Sequence, residues 1–352
     1  MRSKHIYNKY HVELFGSIQE EIYKKIDFCN RRFYKKIFVK GCIYFFLTAI
    51  SYSILYQIDD QRLLIPAYIV YGLISMLFAF NFAHDFSHNT IFKKKELNHK
   101  CFIALYTMVG AHAEAWKDRH VTSHHHAPNV EGYDTDLEIT NLIRVVPGSK
   151  RKWYHRFQYI YAPFLYTTYS LFWVFIKDFK VFFNQQNRKN KHSLRYVTSF
   201  WCQKMVYCSY LMVLPIIFID LEWYWIVVSF LSMHLVQSLF LLFTFFMTHH
   251  IDGLAYPQKD ISGYIKTSWF MNQIQSSNDF YPFSKLANFV FGGFNNHIAH
   301  HLFPNIHHVY YPELNKILYT ILKSHQIIPN QTSYFGGVVA HLSHLKTLGT
   351  EQ

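Results

Sequence analysis

LLIPAYIVYGLISMLFAFNFA, at Leu63–Ala83, runs without a break into HDFSH, at His84–His88. The first stretch contains no charged side chain. Its length matches the roughly 20 residues that an α-helix needs to cross about 30 Å of hydrocarbon. This part of the sequence therefore predicts a membrane-spanning helix that carries two histidines just past its end.

Three more apolar runs predict membrane spans. One, at 41–57, is joined to the first stretch by the short link IDDQR. The other two, at 205–219 and 223–247, are separated only by DLE. Backbone in hydrocarbon must satisfy its own hydrogen bonds, which favours helices, and links this short allow only tight turns. We expect an all-α integral membrane fold in which four transmembrane helices, 41–57, 63–83, 205–219 and 223–247, form two hairpins.

The distribution of charge predicts the orientation. Segments outside the spans are rich in Lys and Arg, whereas the two short links hold mainly Asp and Glu. Because Lys and Arg are enriched on the cytosolic side of membrane proteins, the basic segments and both termini are expected there. The segments expected to be cytosolic or interfacial are 1–40, 84–204 and 248–352.

Two shorter apolar stretches are not expected to span the membrane. The stretch 102–112 is too short to span, and 159–176 is borderline. A single crossing by either one would carry the later segments to the opposite face. We therefore expect both stretches to be re-entrant or interfacial helices.

The composition favours one membrane-embedded domain over 1–352. No Pro/Gly/Ser-rich linker or low-complexity stretch divides the chain. The net charge of +13 lies in segments that flank the spans, where anionic lipid headgroups attract it, so nucleic acid is not an expected partner. The five cysteines form no CxxC pair, which disfavours a disulfide framework and a zinc finger. No cleavable signal is evident, so the first span is expected to direct insertion.

Histidines form three clusters outside the spans. His84 and His88 are four residues apart and would share one face of a continuing helix. In HVTSHH, His120 and His124 are also expected on one helical face, with His125 beside them. HIAHH again offers one face plus a neighbour. Its histidines are His297, His300 and His301.

All three clusters are expected near a membrane boundary on the same side, although the hairpins separate them in sequence. Their eight imidazoles exceed the six ligands of one octahedral ion, which argues for two metal ions. Imidazole by itself is compatible with iron, copper, zinc and nickel. The clusters therefore predict a histidine-rich metal cap on the cytosolic side.

The motifs HDFSH, HVTSHH and HIAHH resemble the three histidine boxes of the membrane fatty acyl desaturases. The likeness runs from about Ala79 to Leu314 and includes the surroundings of the second and third boxes, HVTSHHHAPNVEGYDTDL and GGFNNHIAHHLFPNIHHVYYPEL. The branch that the third box most resembles usually has Gln where His297 stands and Glu where Ala299 stands. The position of desaturation in that branch is therefore not transferred to this chain.

The resemblance implies oxygen-dependent desaturation of a fatty acyl chain, with a cis double bond as the product. It implies two Fe ions held by the eight box histidines and one more, His249 in FFMTHHIDGLAYP, for which His250 is the neighbouring alternative. O2 is then the co-substrate. The sequence shows no glycine-rich dinucleotide motif and no CxxC-based iron–sulfur pattern, and no fused haem domain is expected before the first span. Electrons are therefore expected from an external donor, a ferredoxin or a b-type cytochrome.

Acidic residues near the boxes are candidates to accept hydrogen bonds from ligating imidazoles. A solvated surface carboxylate is an equally good interpretation of any one of them. They are Asp85, Asp118, Asp134 and Asp136.

Several other histidines are expected not to be ligands. His234 lies inside the fourth span, where a polar ring is costly unless it is buried with a partner such as Gln237. The rest neighbour the boxes without matching a ligand position: His112, His126, His307 and His308.

Three other functions compete with desaturation. A lipid or hydrocarbon hydroxylase, or a ketolase, uses a similar di-iron centre, but the third-box surroundings favour desaturation. A membrane metal carrier usually places its ligands inside the spans, whereas these clusters lie outside them. A non-catalytic relative would be expected to have lost box histidines. Tunnel depth and entrance shape, rather than any motif, decide the acyl chain length, its carrier and the double-bond position.

Overall fold

The computed structural model describes residues 4–137, 140–186 and 193–351, which are mostly helical with very little sheet. The α-helices are α1 (Lys9–Lys25), α2 (Arg31–Leu55), α3 (Gln61–Phe78), α4 (His84–Ser87), α5 (Lys95–Met108), α6 (Ala113–Thr122), α7 (Gln158–Tyr166), α8 (Tyr169–Phe172), α9 (Asp178–Gln186), α10 (Leu194–Cys208), α11 (Leu214–Phe218), α12 (Trp223–His249), α13 (Trp269–Gln275), α14 (Lys285–Phe291), α15 (His297–Leu302), α16 (Tyr311–Ser324) and α17 (Tyr334–Thr350).

Shorter elements connect these helices. The π-helical segments are Ala79–Ala83, Trp173–Lys177 and Ser209–Val213, and the 3-10 segments are His124–His126, Thr135–Leu137, Trp153–Phe157, Phe294–Asn296 and His308–Tyr310. Strand β1 (Lys4–His5) pairs in parallel with β2 (Tyr264–Ile265), and β3 (Asn278–Phe280) pairs in parallel with β4 (Asn330–Thr332).

Four helical stretches in the described ranges are long and apolar enough to cross a membrane, which confirms the predicted all-α membrane architecture. Two of them begin about ten residues before the predicted spans 41–57 and 205–219. A helix satisfies its own backbone hydrogen bonds and so does not have to end where hydrocarbon gives way to water. The pairing of the helices into hairpins stays a prediction. The four stretches are Arg31–Leu55, Gln61–Ser87, Leu194–Phe218 and Trp223–His249.

Both shorter apolar stretches are helical. The stretch 102–112 falls largely in α5, and 159–176 is covered by α7, α8 and the segment Trp173–Lys177. Neither belongs to the four candidate spans. Their place at the membrane surface stays a prediction.

The contacts gather the chain into two compact units. The first unit comprises Met1–Lys36, Asp118–Ala162 and Phe243–Gln352, and the second comprises Ile37–Lys117 and Pro163–Leu242. The expectation of a single domain over 1–352 stays a prediction.

In the second unit, tyrosine hydroxyls support an irregular turn of a candidate span. The π-helical segment Ser209–Val213 interrupts the regular hydrogen-bond ladder between α10 and α11. The Tyr52 hydroxyl donates to the carbonyl oxygen of Tyr210 at 2.6 Å, and the Tyr68 hydroxyl donates to that of Leu211 at 3.1 Å. Backbone polar groups in hydrocarbon need partners from the protein itself, so these hydroxyls stabilise the turn.

His234 is buried in the second unit, as expected, but the suggested partner Gln237 is wrong. The Nδ1 atom of His234 lies 2.7 Å from the Ser170 hydroxyl, and its Nε2 atom lies 2.7 Å from the Tyr207 hydroxyl. Gln237 instead donates from its amide to the carbonyl oxygen of Gly72 at 2.6 Å. The choice of partner depends on which helices pack together, which residue spacing along one helix does not reveal.

A buried ion pair ties three segments of the second unit together. The Lys204 ammonium lies 2.6 Å from the Asp178 carboxylate, and it also donates to the carbonyl oxygens of Gly110 and Val174 at 2.7 and 2.8 Å. The same carboxylate accepts the backbone N–H of His112 at 2.8 Å. Each charge is therefore compensated by several hydrogen bonds, which a buried ion pair requires.

The first unit seats α15 in an apolar core. Leu14, Ile18 and Ile22 form the buried face of α1. They join a cluster to which α15 contributes Ile298 and Leu302. Further members of this cluster are Leu314, Leu318 and Leu322 of α16. This packing holds the helix that carries the third histidine cluster from the side opposite its histidines.

Replacing Lys204 by Met tests the buried ion pair. Lys204→Met leaves the buried Asp178 carboxylate without its cation, so we expect a loss of unfolding free energy of about 3–5 kcal/mol. Lys180→Met, at an exposed position, is the matched control and should change it by less than about 0.5 kcal/mol. The measurement is the thermal unfolding midpoint in detergent micelles. Equal midpoints for the two variants would contradict the role assigned to the pair.

Candidate metal centre

Four buried histidines of the first unit have ring nitrogens close to one another. The Nε2 atom of His249 lies 3.0 Å from that of His124 and 2.6 Å from that of His297. The Nε2 atom of His301 lies 3.2 Å from that of His297. One ligand atom from each of the four lies within 4.8 Å of the others, so we call His124, His249, His297 and His301 the tetrad.

Three of the four outer nitrogens of the tetrad have described hydrogen-bond acceptors. His249 donates from Nδ1 to the carbonyl oxygen of Ser276 at 2.8 Å. His124 donates from Nδ1 to the carboxylate of Asp134 at 3.0 Å. Nδ1 of His301 lies 2.9 Å from the side-chain oxygen of Gln273. A metal-ligating histidine is typically oriented in this way through its other ring nitrogen.

These outer bonds set the chemistry of the inner nitrogens. A carbonyl oxygen can only accept, so the ring proton of His249 is on Nδ1 and its Nε2 presents a lone pair. The same holds for His124 against the Asp134 carboxylate. Two lone pairs that face each other at 3.0 Å repel unless a cation lies between them. The donor set therefore fits a metal ion.

Electrostatics act in opposite directions on two rings of the tetrad. Burial lowers the pKa of His301 well below its usual range, and the neighbouring histidines lower it further. Burial also lowers the pKa of His124, but the Asp134 carboxylate outweighs burial and the net pKa is raised. A raised ring basicity strengthens a histidine as a metal ligand.

A second group of histidines in the first unit lies beside the tetrad. The Nε2 atoms of His120 and His125 are 3.1 Å apart, and the ring centroids of His125 and His300 are 4.5 Å apart. One nitrogen from each of the three lies within 4.8 Å of the others. Nδ1 of His300 lies 3.4 Å from the Tyr311 hydroxyl. We call His120, His125 and His300 the triad.

The second cluster is divided between the two groups because its helix ends early. α6 stops at Thr122, and His124–His126 form a 3-10 turn. One continuous α-helix therefore does not carry His120 and His124, although their rings stack with centroids 5.5 Å apart. The tighter turn sends His124 to the tetrad and leaves His125 with His120.

The third cluster is divided by ordinary helical spacing. In α15, His297 and His301 are one turn apart and both point into the tetrad, whereas His300 points to the triad. The spacing HxxHH therefore serves two groups from one short helix.

A buried carboxylate caps this short helix from another element. Asp279 of β3 accepts the backbone N–H of Ile298 at 2.8 Å through Oδ1 and the Tyr319 hydroxyl at 2.8 Å through Oδ2. Burial raises the pKa of Asp279 to about 7, although these hydrogen bonds oppose the shift. Asn296, directly before α15, makes no side-chain cap, so Asp279 supplies the acceptor that the helix terminus needs.

The first cluster lies in the second unit. His84 begins α4, and His88 follows its last residue, with ring centroids 5.1 Å apart. Both are buried, and the His84 ring lies 6.2 Å from the Trp116 ring. Burial lowers the pKa of His88 to about 4, which keeps its imidazole neutral, as metal binding requires.

The structure separates His249 from its neighbour. His249 is the last residue of α12 and belongs to the tetrad. His250 turns away from it, and its Nδ1 lies 2.9 Å from the Tyr256 hydroxyl. Only the first of the two is therefore placed to share a metal with other box histidines of the first unit.

The four carboxylates near the boxes are placed differently. Asp134 contacts His124, and Asp136 donates its backbone N–H to Asp134 at 2.9 Å. In the second unit, Asp85 accepts from the Thr90 hydroxyl at 3.1 Å. The carbonyl oxygen of Asp118 accepts the Thr122 hydroxyl. Asp134 therefore has a box histidine as its hydrogen-bond partner.

The histidines expected not to be ligands have other surroundings. His112, in the second unit, lies 3.1 Å from the Glu114 carboxylate. His126 is exposed at the end of its 3-10 turn. His307 accepts the backbone N–H of Val309 at 3.0 Å, and the carbonyl oxygen of His308 accepts the Asn288 amide at 3.0 Å.

Three residues that orient the centre have no clear sequence signal. Ser276 acts through its backbone carbonyl, so its side chain is uninformative. Gln273 and Asp279 lie well before the third box in sequence, in α13 and β3. Their roles follow from how these elements pack against α15, which the sequence does not reveal.

Comparisons with known proteins agree with the geometry. The family model described as "Fatty acid desaturase" matches residues 62–344. The acyl-lipid (8-3)-desaturase of Physcomitrium patens is 30% identical over 272 residues, which cover 76% of this chain and 56% of that protein. This chain thus spans little more than half the length of that relative.

Two further relatives are also named as desaturases and match most of this chain. The acyl-lipid (8-3)-desaturase B of Dictyostelium discoideum is 29% identical, with coverage of 88% of this chain and 69% of that protein. The sn-1 linoleoyl-lipid 6-desaturase of Arthrospira platensis is 26% identical, and the match covers 80% of this chain and 76% of that protein.

Removing the Asp279 carboxylate tests the cap on α15. Asp279→Ala leaves the backbone N–H of Ile298 and the Tyr319 hydroxyl buried without an acceptor, which should cost about 1–3 kcal/mol for each group. Asp279→Asn keeps one acceptor oxygen and should lose less than half as much. The unfolding free energy in detergent and the hydrogen exchange of α15 amides report the effect. If both variants behave like the parent chain, α15 does not depend on this cap.

Proposed function

This chain belongs to the fatty acid desaturase family, and we propose that it uses O2 to introduce a cis double bond into a fatty acyl chain. The observation that carries the proposal is the tetrad, in which four buried histidines bring one nitrogen each within 4.8 Å of the others and the lone pairs of His124 and His249 face each other. An unactivated methylene offers neither an acidic proton nor an electrophile, so side chains alone cannot dehydrogenate it. A metal centre at this position supports oxidative chemistry.

The proposed ligands are nine histidines that hold two iron ions. The tetrad and the triad supply seven of them within the first unit. We assign His84 and His88 to the same centre on the family resemblance, and iron rather than copper, zinc or nickel on the same ground. Bound iron would supply the dioxygen chemistry that hydrogen removal from a methylene needs. The ligands are His84, His88, His120, His124, His125, His249, His297, His300 and His301.

The chain's own residues orient the centre and keep it dry. Asp134 and the Ser276 carbonyl fix the tautomers of His124 and His249, so their Nε2 atoms are preset as ligands. All nine histidines are buried, which limits the access of water to the reacting groups. Exclusion of water protects an oxidising centre from side reactions.

The proposed substrate is an acyl chain carried by a membrane lipid. The four candidate spans fit a membrane protein, and the relatives quoted above are named for acyl-lipid or linoleoyl-lipid substrates. His249 lies at the end of α12, so a lipid tail could reach the centre while its headgroup stays at the interface. We propose that the termini and the histidine clusters face the cytosol, on the basis of the basic loops.

Electrons are proposed to come from a ferredoxin or a b-type cytochrome. Such donors commonly present acidic surfaces, and the basic segments of this chain would attract them. A metal carrier is disfavoured because the tetrad lies at the end of α12 rather than at mid-span. The names of the relatives favour desaturation over hydroxylation.

Fatty-acid analysis tests the reaction. Cells that express the chain, supplied with a panel of fatty acids and a reducing donor, should accumulate a new unsaturated methyl ester whose mass spectrum locates the bond. His300→Ala should lower its amount by more than the ~10–100-fold typical of losing a residue that only orients a ligand. His126→Ala, an exposed histidine outside both groups, should retain the product. Hydroxy acids, or an unchanged profile with all components present, would contradict the proposal.

Metal analysis tests the ligand assignment without relying on turnover. The purified chain, reconstituted with ferrous iron, should bind two irons, and His249→Ala should lose at least one of them because a tetrad nitrogen is gone. The matched variant His250→Ala removes the adjacent imidazole, which contacts Tyr256 instead, and should keep both. Inductively coupled plasma mass spectrometry gives the stoichiometry. Equal iron content in the two variants would overturn the assignment of His249.

A further inference from the structure

Two helices outside the candidate spans expose large apolar side chains. In α14, Leu286 is 74% exposed and Phe289 is 37% exposed. At the start of α17, Phe335 is 77% exposed and Val339 is 66% exposed. Exposed apolar groups concentrated in this way usually mark an interaction surface. We call Leu286, Phe289, Phe335 and Val339 the apolar patch.

The start of α17 lies against the end of α12. The Tyr334 hydroxyl lies 3.4 Å from the Thr244 hydroxyl. Gly337 lies so close to Met247 that an added Cβ would be 3.0 Å from its side chain. One turn further, His341 donates to the carbonyl oxygen of His250 at 2.6 Å. α17 therefore rises beside α12 from the level of Thr244 and passes its end.

A stacked aromatic pair brings α14 to the same place. The ring of Phe291, the last residue of α14, stacks on the ring of Tyr334 with centroids 5.3 Å apart. Leu286 and Phe289 lie within two helical turns of this contact. The end of α14 and the start of α17, which carry the apolar patch, therefore lie together beside the end of one candidate span.

The length of α12 places this contact at the edge of the hydrocarbon. Trp223, Tyr224 and Trp225 begin the helix and form an aromatic belt of the kind found at membrane interfaces. At 1.5 Å per residue, about 30 Å of hydrocarbon takes about 20 residues. Counted from Trp225, the hydrocarbon ends near Phe245, which is next to Thr244. The start of α17 is thus level with the boundary between hydrocarbon and headgroups.

The exposed face of α17 changes character along its length. Exposed residues recur every four positions, so they follow one face. The face is apolar at its start and polar beyond the end of α12, as a bilayer requires of a helix that leaves it. In chain order the residues are Phe335, Val339, Ser343 and Thr347.

We propose that the apolar patch inserts into the bilayer and binds the upper acyl-chain and glycerol region of phospholipids beside α12. The exposed Lys285 extends next to Leu286, where its ammonium would reach lipid phosphates. The patch thereby anchors the third-box region, since α14 leads through Gly292 and Gly293 to Phe294 and then to His297.

Photo-crosslinking tests the insertion directly. p-Benzoylphenylalanine is introduced at Leu286 or at Phe335 of the full chain, which is reconstituted in nanodiscs of phosphatidylcholine and phosphatidylglycerol and irradiated. Ile217, exposed within a candidate span, is the positive control, and Thr347, on the same face of α17, is the matched negative control. Intact-protein mass spectrometry counts lipid adducts.

The expected result is a lipid-adduct yield at Leu286 and Phe335 within about threefold of that at Ile217 and at least about tenfold above that at Thr347. All labelled positions are exposed, so folding should be preserved, and size-exclusion chromatography checks this. A yield at Phe335 no higher than at Thr347 would overturn the proposal. Crosslinking between two copies of the chain in place of lipid adducts would also overturn it and would identify the patch as a protein interface.

Discussion

Facing lone pairs are the constraint on which the metal centre depends. The Nε2 atoms of His124 and His249 face each other at 3.0 Å with a lone pair on each, and in a buried site they repel unless a cation joins them. The surrounding residues make the arrangement possible by holding the rings of His124, His249 and His301 through their outer nitrogens. Asp134, the Ser276 carbonyl and Gln273 bind the outer nitrogens, so the inner ones have no other tautomer or direction available.

The scaffold of the first unit transmits this constraint outward. α15 is only six residues long, which is too short for a stable helix on its own. Its apolar face packs against α1 and α16, and its start is capped by Asp279 from β3. A buried carboxylate that accepts from both a backbone N–H and a tyrosine hydroxyl aligns the histidines more firmly than a solvent-exposed cap would. Positioning of these histidines is therefore a property of several elements packed together.

α12 serves both as a candidate membrane span and as the helix that carries His249. Its apolar length suits a span, its last residue is a tetrad histidine, and its final turns contact α17. A helix satisfies its own backbone in hydrocarbon and in water alike, so it can carry a ligand beyond the hydrocarbon without a break. The contacts between α17 and the end of α12 place the exposed apolar side chains at the start of α17 near this end of the span, where lipid can cover them.

The sequence by itself determined the membrane spans, because long uncharged runs have few other uses, and it determined the family, because the histidine boxes have characteristic spacings. It also pointed to His249 ahead of His250 through that resemblance. Only the tertiary structure decided how the seven histidines of the first unit divide into tetrad and triad. Because α6 ends early, at Thr122, His124 and His125 lie in different groups. It alone decided the partners of His234 and the roles of Ser276, Gln273 and Asp279. Local spacing predicts which side chains share a helix face, but the atoms they meet belong to elements distant in sequence, and packing chooses those.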